Sequence, residues 1–455
     1  MELRQHGSSA QAIEAGFLDL ATLLDRSLRA GESYTARFSA ETSDFVRFNC
    51  GRVRQPGSVE QRYLDVDLIA GHRHAAHTLA LTGDPAVDHE RVARAVAALR
   101  ETLADVADDP HLLIATDAAS SRDVRGGPLP PAEDVVAAVV ARAEGLDLVG
   151  IYAGGPVYRG FANSFGQRNW HAVTSYHLEW SLFARTDKAV KSTLSGLAFV
   201  PEQFDARMAE ARERLGYLGR PAKTLPPGGY RAYLAPAAVA EIAGLLCWGG
   251  FSARALATRQ SPLMRMHGGS DDALRLAPMV DLTEAPGDGV APRFQGEGFA
   301  RPATIPLVRA GQLVGALTSP RTAREFALAT NGANAAEVPE SLAMAGGTLE
   351  SSAALAALGE GLCISNLWYL NYSDRPAGRI TGMTRFATFW VEGGRIVAPV
   401  DVLRFDDTIY RMLGTNLEAL TSGTELILDS STYRERQLAS MRLPGALLGS
   451  LQFTL

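Results

Sequence analysis

A chain of 455 residues is too long for one compact core and suits two or three domains. Apolar residues make up 46% and charged residues 21%, a globular balance, and no apolar run approaches the roughly 18 residues that cross a bilayer. The formal charge of −6 argues against a nucleic-acid partner, and the three widely spaced cysteines, Cys50, Cys247 and Cys363, exclude a disulfide framework.

The first residues, Met1 to His6, lack the apolar core of a signal peptide, so a cytoplasmic protein is expected. Residues 11–29 set Ile13, Phe17, Leu20 and Leu24 on one helical face before Gly31. Alternating runs at 34–39, 45–49, 61–70 and 72–81 read as strands, with Cys50-Gly51 and Ala70-Gly71 as turns. Asp88 is expected to cap a helix that turns Val92, Val96, Leu99 and Leu103 inward. A Pro/Gly/Asp stretch at 120–131 reads as a separator, and Pro131 then opens a helix that Gly145 closes.

Residues 148–200 read as a meander with a turn at Gly154-Gly155-Pro156, and a helix follows from Pro201 to Leu215, stopped by Gly216. The Gly/Pro-rich segment 219–229 is the best boundary in the chain. Beyond it come a strand at 230–235, an apolar helix from Pro236 and a strand-rich remainder. Turns are expected at Ala310-Gly311 and Gly393-Gly394, loops at 284–304 and 327–347, and a helix at 406–420. The fold class is α+β: an N-terminal α/β region with antiparallel strands and flanking helices, then a β-rich C-terminal domain. The divisions are 1–120, 121–219 and 220–455.

Nine histidines limit the chemistry, and none lies beyond His267. His72, His74 and His77 are the one metal-like cluster: in a strand His72 and His74 share a face, with His77 across a turn. No cysteine completes the shell, although Asp65 and Asp67 can lie opposite, so a solvated hairpin edge competes with a structural zinc. His171 and His177 share a strand face but sit ~20 Å apart, too far for one metal. No cysteine has a neighbouring histidine or lysine to lower its pKa, and no glycine-rich segment has phosphate-loop context. The residues alone therefore offer no visible catalytic set.

Three stretches carry a resemblance. Residues 43–55, with Asn49-Cys50-Gly51-Arg52 at their centre, resemble the strand–turn–strand opening of the TldD/PmbA family. Gly160-Phe161-Ala162-Asn163-Ser164-Phe165-Gly166 is similar to that family's central segment. Residues 367–374, Thr381-Gly382-Met383-Thr384-Arg385 and 389–396 resemble its C-terminal strands.

This family, also known as modulators of DNA gyrase, pairs two related chain types. One type binds zinc through an HExxxH helix and a later cysteine and hydrolyses peptides; the other has the same fold without the metal motif. The equivalent helix here runs from Pro236 to Gly250 and holds no histidine, with Glu241 its only carboxylate. The resemblance therefore implies a non-metal subunit, inactive alone, of a heterodimeric zinc metallopeptidase that cleaves peptides or unfolded polypeptide in an enclosed chamber. No cofactor is expected in this chain, and zinc is expected in the TldD-type partner. Extended peptide can be held by strand addition, with Asn366, Trp368, Tyr369 and Arg385 as substrate or interface candidates. The alternative is a homodimeric peptide-binding module without catalysis. A third reading gives an independent hydrolase through His72, His74 and His77. Gyrase or DNA binding conflicts with the acidic charge.

Overall fold

The computed structural model describes residues 9–185, 188–267 and 273–454. Helix α1 (Ala10–Ser27) leads into strands β1 (Glu32–Asn49), β2 (Arg52–Ala70) and β3 (Arg73–Ala80). Helix α2 (Pro85–Leu103), strand β4 (Ser121–Arg125) and helix α3 (Ala132–Arg142) follow. Strands β5 (Asp147–Asn163), β6 (Arg168–Arg185) and β7 (Lys188–Gly196) then precede helix α4 (Pro201–Leu218). The seven strands form one sheet in the order β3-β2-β1-β5-β6-β4, with β7 also on β6. Every pairing is antiparallel except that of β4 with β6.

The expected turn at Cys50-Gly51 forms, with φ of +50° and +68°, the left-handed pair that a two-residue hairpin requires. The runs at 34–39 and 45–49 are not separate strands but parts of the single 18-residue β1. It pairs with β2 along its length, with one register shift after Arg47, and with β5 over residues 35–41 and 44–48. Asp84, not Asp88, caps α2 by accepting from the amides of Ala86 and Val87. Asp88 is buried and accepts from the amides of Thr82 and Gly83, which ties the helix to the strand before it. Residues 121–125 of the expected separator form β4 in the same sheet.

Gly154-Gly155-Pro156 is no turn either, since β5 runs through it. Gly155 has φ +141°, and a Cβ there would lie 2.1 Å from the Thr42 carbonyl oxygen, so only glycine lets β1 and β5 approach at this point. Helix α4 also passes through Gly216, where an added Cβ would meet nothing.

The C-terminal region opens with strand β8 (Gly228–Leu234) and helix α5 (Pro236–Cys247) and builds a 13-stranded sheet. Its organiser is the final strand, Ser440–Phe453, which pairs with β8, Leu417–Leu428, Ser341–Met344 and Arg404–Thr408. The turns at Ala310-Gly311 and Gly393-Gly394 form with positive φ at all four residues. No helix spans 406–420. That segment holds the ends of two strands joined by a five-residue π-helical turn, Arg411–Thr415. Pairing with the final strand, Phe405 to Phe453 and Leu417 to Leu448, overrides local helical preference there.

Four apolar clusters hold the described residues together, the smallest joining Val157 and Val173 to Val290, Leu428 and Leu438. Phe17, Leu20 and Leu24 of α1 and Val92, Val96 and Leu99 of α2 cover one face of the N-terminal sheet. Val239, Ile242 and Leu246 of α5 pack with Leu362, Phe405, Leu448 and Leu451 of the C-terminal sheet. Helix α4 joins the two halves, its Phe204 and Met208 sharing a core with Trp180, Tyr233, Cys363 and Phe389. Among the described residues no helix is long and apolar enough to cross a membrane. The architecture is the expected α+β.

Candidate functional site

Helix α5 buries Ala238, Val239, Ile242, Ala243, Leu245 and Leu246, which leaves an uncovered stripe through Ala237, Ala240, Glu241, Gly244 and Trp248. Pro236 fixes its first turn. The N-terminal part of this stripe forms one wall of a cleft of about 720 Å³. The opposite wall comes from β6, β7 and α4, and the floor from Cys363, Ser365 and Asn366, at and just beyond the end of strand Gly361–Ile364.

Three cations line the cleft, and each has a carboxylate within it. Lys191 lies 2.9 Å from Glu179, Arg207 lies 3.0 Å from Glu425, and Arg214 lies 2.6 Å from Glu210. Glu241 is the fourth lining carboxylate and, among the described residues, makes no ion pair or hydrogen bond. It keeps solvent access, yet the surrounding walls displace enough water to raise its pKa, with Lys191 opposing and Glu179 reinforcing the shift. Among the described residues, Asn366, 7% exposed, makes no side-chain hydrogen bond, and the buried Ser365 Oγ has no partner.

Asn366 lies on the cleft floor, while Trp368, Tyr369 and Arg385 lie on an exposed surface just beyond it. The Arg385 guanidinium stacks 4.3 Å from the Trp368 ring centroid, and the Trp368 and Tyr369 rings are 5.4 Å apart. Tyr369 is 76% exposed and has φ +56°, a strained conformation for a bulky residue. Trp368 and Tyr369 open the strand Trp368–Asp374, which pairs only with Arg379–Met383 among the described strands and so leaves its other edge open. Trp390 is buried in the core instead, its indole nitrogen donating to Glu392.

The three clustered histidines are not brought together. His72 sits in the turn before β3, and His74 and His77, three apart on β3, point to opposite faces. His74 bridges two carboxylates instead, with Nδ1 3.0 Å from Asp67 and Nε2 3.4 Å from Asp109. His171 and His177 are both buried in β6; the Nε2 of His171 lies 2.9 Å from the carbonyl oxygen of Val290. Cys50 is exposed in its hairpin. Burial raises the Cys363 thiol and pushes Cys247 up to about 12, so neither is a thiolate at neutral pH.

A zinc ion does not suit the donors on α5. They are one carboxylate and one thiol, six positions apart and so about 120° apart around the helix, with no histidine to complete a set. Among the described residues no group of three or more His, Cys, Asp or Glu side chains is placed to hold a metal. Sequence reasoning marked Glu241 only as a lone carboxylate. Ser365, Glu179 and Lys191 it did not single out, because they come from separate strands that meet only on folding.

Residues 227–454, half of the chain, match the family described as the PmbA/TldA metallopeptidase C-terminal domain. None of the curated proteins matches. Among solved structures, TldE from Thermococcus kodakarensis superposes with a TM-score of 0.78 at 12% identity, over 97% of this chain and 100% of that one. A Thermotoga maritima protein provisionally described as a modulator of a DNA gyrase gives 0.72 at 14% identity, over 97% and 100% of the two chains. A Bacteroides thetaiotaomicron protein described in the same way gives 0.71 at 15%, over 98% and 99%. At these identities the likeness establishes a shared fold.

Proposed function

The chain belongs to the PmbA/TldD family, and from that membership we propose that it is the metal-free subunit of a two-subunit metallopeptidase acting on peptides or unfolded polypeptide. The observation that carries this reading is α5. It stands beside an open cleft, where the family resemblance puts the metal-bearing helix, and its donors do not suit zinc. A zinc-bearing TldD-type chain would supply the hydrolytic step. This chain would complete the enclosure and help to hold substrate.

The holding surface suits extended peptide. An open strand edge offers backbone donors and acceptors that any sequence can use, and the adjoining Trp368, Tyr369 and Arg385 add aromatic and guanidinium contacts. The likeness to TldE supports the same assignment.

The test compares hydrolysis of a fluorogenic peptide by this chain, by a zinc-bearing family member and by the two mixed, with zinc measured in each. The proposal expects below about a tenth of an equivalent of zinc here and hydrolysis that needs the other chain. Hydrolysis by this chain alone, or a full equivalent of zinc in it, overturns the proposal. Peptide binding that no partner converts into hydrolysis leaves the homodimeric binding module instead.

A further inference from the structure

The cleft beside α5 has one carboxylate more than it has cations. Lys191, Arg207 and Arg214 each pair with another carboxylate, so among the described residues Glu241 faces the cavity with no ion-pair contact, Lys191 acting on it only at a distance. Two further polar side chains lining the same cleft make no hydrogen bond among the described residues. The Asn366 amide makes no hydrogen bond although the residue is 93% buried, 7% being exposed. Ser365 Oγ, on a residue 5% exposed, is sealed at the floor without a partner. Buried polar groups are rarely left unpaired unless a ligand or solvent completes them. A carboxylate, an amide and a hydroxyl lining one cavity of ligand size are complementary to an ammonium group next to a peptide unit.

We propose that this cleft binds the free amino terminus of an extended peptide, Glu241 pairing with the α-ammonium and Asn366 hydrogen-bonding the first peptide unit. The inference deepens the peptide-handling reading and rests on it for the class of ligand. Geometry favours a peptide over a small amine. Two residues beyond Asn366 the chain enters the open-edged strand Trp368–Asp374, so a ligand anchored at Asn366 has backbone pairing available along its next residues. Lys191 and Glu179 are the charged groups nearest Glu241, and their mutual ion pair keeps Lys191 from neutralising it. This site would use no metal and would break no bond; it sets which end of the substrate is held.

The experiment measures fluorescence anisotropy of an unstructured Ala/Gly/Ser peptide, labelled at its carboxyl end and carrying either a free or an acetylated amino group, against the full chain at pH 7.5. Acetylation is expected to weaken binding by about tenfold. Glu241→Gln should weaken the free-amine peptide to the same extent and leave the acetylated peptide unchanged. Asn366→Ala should weaken both. Circular dichroism and the urea midpoint of each variant establish that it is folded. Equal affinity for the two peptides overturns amino-terminal recognition while leaving peptide handling intact. Failure of both peptides to bind also overturns it, and hydrolysis by the mixed chains then reads the peptidase proposal separately.

Discussion

His177 shows how a single side chain sets a pH response. It lies in β6 with 2% exposure, its Nε2 has no hydrogen-bond partner, and burial first, then Arg436, push its pKa down to about 4 from 6.5. The unfolded chain takes up this proton near 6.5, whereas the folded chain does so only near 4. The contribution to stability is therefore complete above pH 6.5 and is lost as pH falls from there to about 4, at about 1.4 kcal/mol per pH unit. His177→Leu is expected to remove about 2 kcal/mol of the stability difference between pH 6.5 and pH 5, read from urea midpoints of variant and wild type. An identical pH slope in the variant would show that His177 titrates normally. The sequence suggests a partly buried, hydrogen-bonded strand histidine, whereas Nε2 is buried without a partner. Its unsatisfied nitrogen follows from packing alone.

At the scale of elements, the open strand Trp368–Asp374 combines exposure with strain. A tyrosine at φ +56° costs roughly 1 kcal/mol relative to glycine, and its ring is 76% exposed, so folding gains little from it. Tyr369→Gly is expected to leave the urea midpoint within about 1 kcal/mol of wild type while lowering affinity for peptide or partner severalfold. A loss of more than about 2 kcal/mol of stability with binding unchanged would make the ring a structural element. Elements were legible where turn chemistry is local, as at Cys50-Gly51, Ala310-Gly311 and Gly393-Gly394. They were illegible where a distant strand decides. Residues 406–420 become strand ends because the final strand is available to pair with them.

Across the whole molecule, the two halves meet through polar groups as well as through the α4 core. Arg436, from the C-terminal region, donates to the Gly155 and Ser175 carbonyl oxygens and to Ser175 Oγ, each at 2.8 Å. Burial pushes this guanidinium down to about 10, opposed by the facing Glu41. Removing it leaves two buried carbonyl oxygens and Ser175 Oγ without this donor, while Glu41 keeps its bonds from Ser43, Gln61 and the Arg436 amide, so Arg436→Met should cost about 3 kcal/mol. Because the contact joins the two halves, the loss should appear as faster limited proteolysis of the 284–304 and 430–437 segments. Unchanged cleavage rates would show that the Arg436 side chain is not needed to hold the halves together.

The sequence by itself determined the α+β class, the hairpin turns, the identity of α5 and its lack of histidine, because these depend on composition, local φ preference and residue type. Its resemblance to one family was also legible, in short strand motifs. Only the tertiary structure decided that β1 is one long strand, that His72, His74 and His77 do not converge, and that Glu241, Ser365 and Asn366 share a cleft whose other charges are already paired. Glu241 lies more than a hundred positions before the adjacent pair Ser365 and Asn366. Helix α5 and the strand Gly361–Ile364 carry them together when both pack into one sheet core, and no local signal encodes that meeting.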